Sequence, residues 1–327
     1  MQIHDKILGD FDIKEEVLIE LINSAAIQRL KGIDQAGYSK SFYVSSRNRY
    51  NHTIGVFLLL RKYGASIEEQ IAGLLHDVSH YAFSHAIDYI LLEGNIDKQD
   101  LQDRSKKKFL IKSDIPEILK KYGYDVEQVS DEEHFPLLET SLPDICADRL
   151  EYSLKDMVIL LGKGVREVRN MLEHLKVNDK NQWYFDDVRV GYKFAKYFKE
   201  LNDEHYSGLR SASMFKSVKD FVKHALDKGY IEIEDLERDD KYVIDECLKY
   251  TKKDNVLKKF WNRMNNSECF TENVEHYEEI VYCKSRVIDP LCLVEGKLRR
   301  VSQVHKRWGN IVQRETVVKK HYILVER

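Results

Sequence analysis

Proline is scarce in this chain. Four prolines and fifteen glycines among 327 residues leave few points at which a helix must break, so long helices are expected. Cysteine is nearly as scarce. The five (Cys146, Cys247, Cys269, Cys283 and Cys292) are scattered, odd in number and never spaced as CxxC, which argues against a disulfide framework or a thiolate zinc site and for reduced thiols. No stretch approaches the roughly 18–20 uninterrupted apolar residues of a membrane helix. The opening MQIHDKILGDFDIKEE lacks the apolar run of a secretory signal, and these two absences predict a cytoplasmic protein with no membrane partner. A large excess of one charge is missing too: the formal net charge is -3, which argues against wholesale attraction to nucleic acid. No GxxxxGK[ST] loop or GxGxxG turn is present, so nucleotide binding by those routes is not supported.

What is present is an ordinary globular composition, 43% hydrophobic and 33% charged, with enough apolar residues for a sizeable core. From about residue 14 to 255 apolar residues recur at spacings of three and four. Val17, Leu18, Leu21 and Ile22 form one such set, Val56, Leu59 and Leu60 another, Ile71, Leu74 and Leu75 a third. The segment LKVNDKNQWYF alternates around a polar turn at 178–181 and predicts a small hairpin between helices. From about 277 the pattern becomes β-branched and alternating, in EEIVYCKSRVI, PLCLVEGKLRRVSQV and ETVVKKHYILV, with a hairpin signal at Glu295-Gly296. The expected fold is mainly α: a helical body over 1–275 with a hairpin insertion, and a small β-containing C-terminal unit over 276–327 packed on it.

Chemistry concentrates in three stretches: RNRYNHTIGVFLLL, IAGLLHDVSHYAFSHAID and ICADRLEYSLKD. His76 and Asp77 close an apolar helix, where consecutive side chains leave the axis roughly 100° apart and can turn toward one point. His52 begins another apolar helix, and Asp148 lies near the start of a third. Two histidines and two aspartates from three helices would half-surround a divalent ion and leave positions open for water and a phosphate oxygen. His80, His85 and Asp88 follow at near-helical spacing. An apolar helix that suddenly gathers this many titratable groups is not building a core, because burying them without partners costs several kcal/mol.

In IQRLKGIDQAGYSKSFYVSSRNRYNHTIGV, AGLLHDVSHYAFSH and ADRLEYSLKD the chain resembles the HD superfamily of metal-dependent phosphohydrolases, and within it the branch of the deoxynucleoside triphosphate triphosphohydrolases. The likeness spans about 25–160, with weaker echoes to about 230. It implies a helical HD domain in which His52, His76, Asp77 and Asp148 hold one divalent metal. The nitrogen–oxygen donor set suits manganese, iron, zinc, cobalt or nickel, with magnesium also admissible. The resemblance further implies Arg49 and Arg149 against substrate phosphate, and His80 and His85 close to it, where either can move a proton to the leaving oxygen. Gln35, Tyr152 and Asp156 match positions that face the sugar, and Asp88 lies beside them in the substrate-binding set. The substrate implied is a nucleotide, first of all a deoxynucleoside triphosphate, and a homo-oligomer is expected.

One departure matters. The branch has a His-Glu pair some twenty residues after the HD helix, where this chain offers Gln102-Asp103, and glutamine cannot act as an acid. His134, in the acidic loop SDEEHFP, is a substitute by type, though that loop predicts an exposed side chain. Two further readings therefore stand: a nucleotide-binding regulatory module that has lost turnover, and an HD nuclease acting on single strands. The second is motivated by KLRRVSQVHKRW, where Lys297, Arg299, Arg300, Lys306 and Arg307 surround a hairpin, with Trp308 available to stack on a base or a regulatory nucleotide. The bland reading of that stretch is a solvated basic strand edge.

Overall fold

The computed structural model describes residues 1–44, 47–91, 101–315 and 318–326, with 101–105 described by backbone alone. The centre is a helix, Arg49–Lys62, whose residues 52–60 are all buried. From Ile54 to Leu60 its sequence is apolar on every side, as expected of a helix surrounded by others. Asn48 starts it by accepting a hydrogen bond from the Asn51 amide at 2.9 Å. The helix Ile67–Leu75, capped by Ser66, lies along it. The two approach closely because residue 73 is glycine: a Cβ there would stand 2.6 Å from Leu60 Cδ1. The helix Ala147–Ile159 covers a further side, and Val188–Leu201 packs on that in turn.

A second apolar core gathers around the helix Leu209–Asp227 with Asp240–Leu248 and Asn255–Met264. A three-stranded antiparallel sheet, in the order Phe270–Glu272, Val318–Val325, Glu279–Lys284, closes it. The hairpin expected at 175–185 is present as Leu175–Val177 and Trp183–Phe185. It is extended by Leu291–Val294, which joins parallel to Trp183–Phe185, and by Lys297–Arg300. The C-terminal strands thus complete sheets on the helical body, which is mainly α as the sequence implied.

The alternation in KLRRVSQVHKRW misleads after Arg300. Residues Val301–Val304 and Lys306–Arg314 are helices, because Val301, Val304, Trp308 and Ile311 also fall at spacings of three and four, and Asp289 accepts from the Ser302 amide at 2.9 Å. Trp308 is therefore not available for stacking. It is 1% exposed, donates Nε1–H to the Ile288 carbonyl at 3.2 Å and packs on Tyr192. Arg300 is likewise engaged, 2.6 Å from Asp144. No helix among the described residues is long and apolar enough to cross a membrane.

Candidate metal centre

His52 sits in the first turn of the 49–62 helix, His76 and Asp77 leave the end of the 67–75 helix, and Asp148 opens the 147–159 helix. Three helix termini therefore meet at one point. His52 Nε2 lies 3.3 Å from His76 Nε2 and 2.9 Å from Asp148 Oδ1. Asp77 stands 3.7 Å from His52 Nε2 through Oδ2 and 3.6 Å from His76 Nε2 through Oδ1. The donor atoms of His52, His76 and Asp148 all lie within 4.8 Å of one another.

The chemistry of these atoms fits a cation. His76 Nδ1 is 2.8 Å from the Gly73 carbonyl, which accepts only from an N–H, so in the neutral ring Nε2 is the nitrogen that presents a lone pair. His52 Nδ1 is bound to the buried Glu151 carboxylate, the carboxylate–histidine pairing that orients metal-ligating imidazoles. Three acceptors, His76 Nε2, Asp148 Oδ1 and the Asp77 carboxylate, then converge on His52 Nε2. A proton there satisfies one of them at a time, whereas a divalent ion satisfies all. The surrounding carboxylates favour positive charge on His52. Burial pulls the His52 imidazole down, but Glu151, Asp148 and Asp77 outweigh it and push it up to about 9. Burial opposes both carboxylates, yet His52 holds Asp148 at about 2, and Lys155, His52 and Arg47 hold Glu151 at about 2.

Arg49 fixes Asp77 from behind. Its Nη1 donates to Asp77 Oδ2 at 2.6 Å, Nε to Ser84 Oγ at 3.0 Å and Nη2 to the Gln35 carbonyl at 3.2 Å. Burial would raise the Asp77 carboxyl, but the Arg49 charge holds it well below the usual range. His80 is buried behind Asp77, its Nε2 3.1 Å from Asp77 Oδ1 yet out of line for a hydrogen bond. Burial and the Arg49 charge keep its ring neutral, well below an ordinary histidine.

A cavity of about 370 Å³ opens from this cluster. His85 lines it, with Nδ1 3.1 Å from Asp88, itself buried beside the cavity. Arg149 lines it while donating to Glu139 and to the Thr140 carbonyl, both at 2.6 Å. Glu139, Cys146 and Asp148 also bring ligand atoms together, but Arg149, 2.9 Å from Cys146 Sγ, occupies that corner. Further along come Tyr152, Gln35 and Asp156. The Asp156 carboxylate takes Arg47 at 2.8 Å and the Tyr206 hydroxyl at 2.9 Å. The Gln35 side-chain oxygen is buried without a partner among the described residues.

The cavity thus gathers eleven of the twelve residues singled out from sequence into one neighbourhood, lining it or buttressing its walls, with His80 set behind Asp77. His134 is exposed and pairs with Asp131, and the side chains of Gln102 and Asp103 lie outside the described residues. Sequence reasoning missed Glu151, Arg47, Tyr206, His205 and Arg286. Glu151 was within reach, three residues after Asp148 and so on the same helix face. The others had no local signal.

The comparisons with known proteins agree with this geometry. An HD domain family model matches residues 49–154. The chain is 36% identical to the uncharacterized protein YdhJ of Bacillus subtilis over 94% of this chain and 93% of that one. It is 30% identical to the metal-dependent phosphohydrolase cns2 of Cordyceps militaris over 70% of this chain and 68% of that one. A more distant relative is the deoxynucleoside triphosphate triphosphohydrolase SAMHD1 of Bos taurus, 26% identical over 68% of this chain and 38% of that one. In fold it is similar to a hypothetical protein from Aquifex aeolicus, with a TM-score of 0.71, 20% identity, and 100% of this chain and 96% of that one covered. The His52–His76–Asp148 cluster, the matched HD segment and the relatives YdhJ and cns2 together place the chain in the HD-domain family of metal-dependent phosphohydrolases.

Proposed function

We propose that the protein hydrolyses a phosphoester or phosphoanhydride bond of a nucleotide, with His52, His76, Asp77 and Asp148 as the metal ligands. The observation that carries this reading is the convergence of three acceptors on His52 Nε2 at the mouth of a cavity lined by Arg49, Arg149 and Arg286. A divalent ion bound there would supply Lewis acidity toward a phosphoryl oxygen and toward water.

The chain's own groups do the rest. Arg49 and Arg149 present guanidinium edges to phosphate oxygens while their remaining donors stay tied to Asp77 and Glu139. His85, oriented by Asp88, moves the proton to the leaving oxygen. His80, buried behind Asp77, does not line the cavity. Gln35, Tyr152 and Asp156 receive the sugar. A deoxynucleoside triphosphate is the first substrate to try, supported by the distant likeness to SAMHD1.

A nucleoside monophosphate is the second reading, favoured by charge. Five basic side chains (Arg47, Arg49, Arg149, Lys284 and Arg286) line the cavity against five acidic ones. A divalent ion therefore leaves a balance that suits a phosphomonoester dianion. The test is purified protein with Mn(II), challenged with nucleoside triphosphates, monophosphates, cyclic nucleotides and short single strands. Release of tripolyphosphate or of inorganic phosphate separates the first two readings. Strand cleavage alone, or tight binding without any product, would overturn both.

A further inference from the structure

The end of the cavity away from the metal ligands is built around a histidine that nothing in the proposed chemistry uses. The 188–201 helix does not end regularly. Residues Asn202–Tyr206 wind as one π-helical turn, closed by the Ser207 amide donating to the Asn202 carbonyl at 2.8 Å. Such turns put one side chain where a regular helix could not, and recur at functional sites. Gly208 permits this one: a Cβ there would lie 2.7 Å from the carbonyl oxygens of Asp203 and Glu204.

The turn is held from outside. Buried Asn202 donates to Ser285 Oγ at 2.9 Å and accepts from the Arg286 amide at 2.7 Å, so the same residue positions Arg286 on the cavity wall. The His205 carbonyl accepts from the Tyr43 hydroxyl at 2.9 Å and from Ser211 Oγ. Its carbonyl is thus satisfied and its ring is not. The His205 side chain is 12% exposed and lines the cavity. Neither ring nitrogen has a hydrogen-bond partner among the described residues, and Glu204 is 3.8 Å away.

Leaving two ring nitrogens dry and unpaired costs free energy, which a ligand would recover. Burial lowers the His205 imidazole below its ordinary value, so it offers one donor and one acceptor. The neighbouring walls are flat and aromatic. Tyr152 lies 6.3 Å from the His52 ring, Tyr206 lies 5.4 Å from Tyr152, and Tyr43 lies 6.1 Å from His205. Asp156 lies two turns past Asp148 on one helix, roughly 12 Å along its axis. It holds Tyr206, the residue next to His205, so His205 is set away from the metal ligands. An occupant with its phosphate at the ligands and a planar group carrying a donor and an acceptor at the far end fits this order.

Resting on the nucleotide reading above, we propose that His205 reads the heterocyclic base of the substrate and sets the base preference. The test compares wild type, His205→Ala and His205→Gln in two ways. With Mn(II), kcat/KM is measured for the preferred nucleotide and for ribose 5-phosphate, which has no base. Without metal, in EDTA, binding of the four deoxynucleosides is followed by calorimetry. Expected is a fall of about tenfold in the nucleotide-to-ribose-5-phosphate ratio for His205→Ala, carried by KM, with weaker deoxynucleoside binding. His205→Gln, which keeps one donor and one acceptor, restores most of both. An unchanged ratio, or deoxynucleoside binding that is equal in the three proteins or absent from wild type, overturns the proposal. Should wild type hydrolyse no nucleotide, the functional reading fails, and the calorimetry still decides on His205.

Discussion

His52 and Glu151 are joined through the imidazole Nδ1 and the carboxylate Oε2, at a place where residue 55 is glycine. A Cβ at Gly55 would collide with the Glu151 carboxylate and stand 2.7 Å from Lys155 Nζ. Lys155 in turn holds Glu151 at 2.6 Å and Asp5 at 3.1 Å. The orientation of the His52 imidazole is thus set by packing between two helices.

Gly55→Ala and Glu151→Ala are therefore expected to weaken Mn(II) binding by about 10–100-fold, the usual cost of losing the group that orients a ligating histidine. Titration calorimetry on the metal-stripped proteins measures this. Wild-type affinity in both variants would show that Glu151 does not orient His52.

The Arg47–Asp156 pair is 13% and 10% exposed and joined at 2.8 Å. Removing one partner strands the other charge inside the cavity wall. Asp156→Ala should lower stability by about 3 kcal/mol, read by urea denaturation. Replacing both by apolar residues should recover much of that. A loss in the double variant equal to the sum of the single losses would mean that the pair is not coupled.

Trp308 is expected to behave as a core residue. Trp308→Ala should cost about 3–5 kcal/mol of stability. A variant as stable as wild type but weakened in binding single strands would restore the nucleic-acid reading of the C-terminal segment.

Metal removal should be felt by the whole fold, because the ligands come from three helices. Mn(II) at a hundred times its Kd should add about 2.7 kcal/mol to stability over the EDTA-treated protein, seen as a concentration-dependent rise in Tm. The rise should vanish in Asp148→Ala. A Tm that ignores Mn(II) in wild type would mean that the native fold does not hold the ion.

The helical body and the ligand neighbourhood were legible because both rest on local pattern. Val56, Leu59 and Leu60 keep the helical period, and the concentration of His76, Asp77, His80 and His85 stands out against it. The far end of the cavity was not legible. His205 depends on a π-helical turn, and Arg286 depends on Asn202, far away in the chain. Strand Leu291–Val294 was expected, but its parallel partner Trp183–Phe185 follows from no local signal. Trp308 was misread because Val301, Val304 and Trp308 satisfy helical spacing while the residues before them alternate, and burial against Tyr192 and Ile288 decided between the two.

The most direct test of the whole account is metal content measured together with hydrolysis in Asp77→Ala and His76→Ala, against wild type. The prediction is about one divalent ion per chain in wild type, little or none in either variant, and loss of nucleotide hydrolysis in step with the metal. A variant that contains no metal and still turns over the wild-type substrate would contradict it.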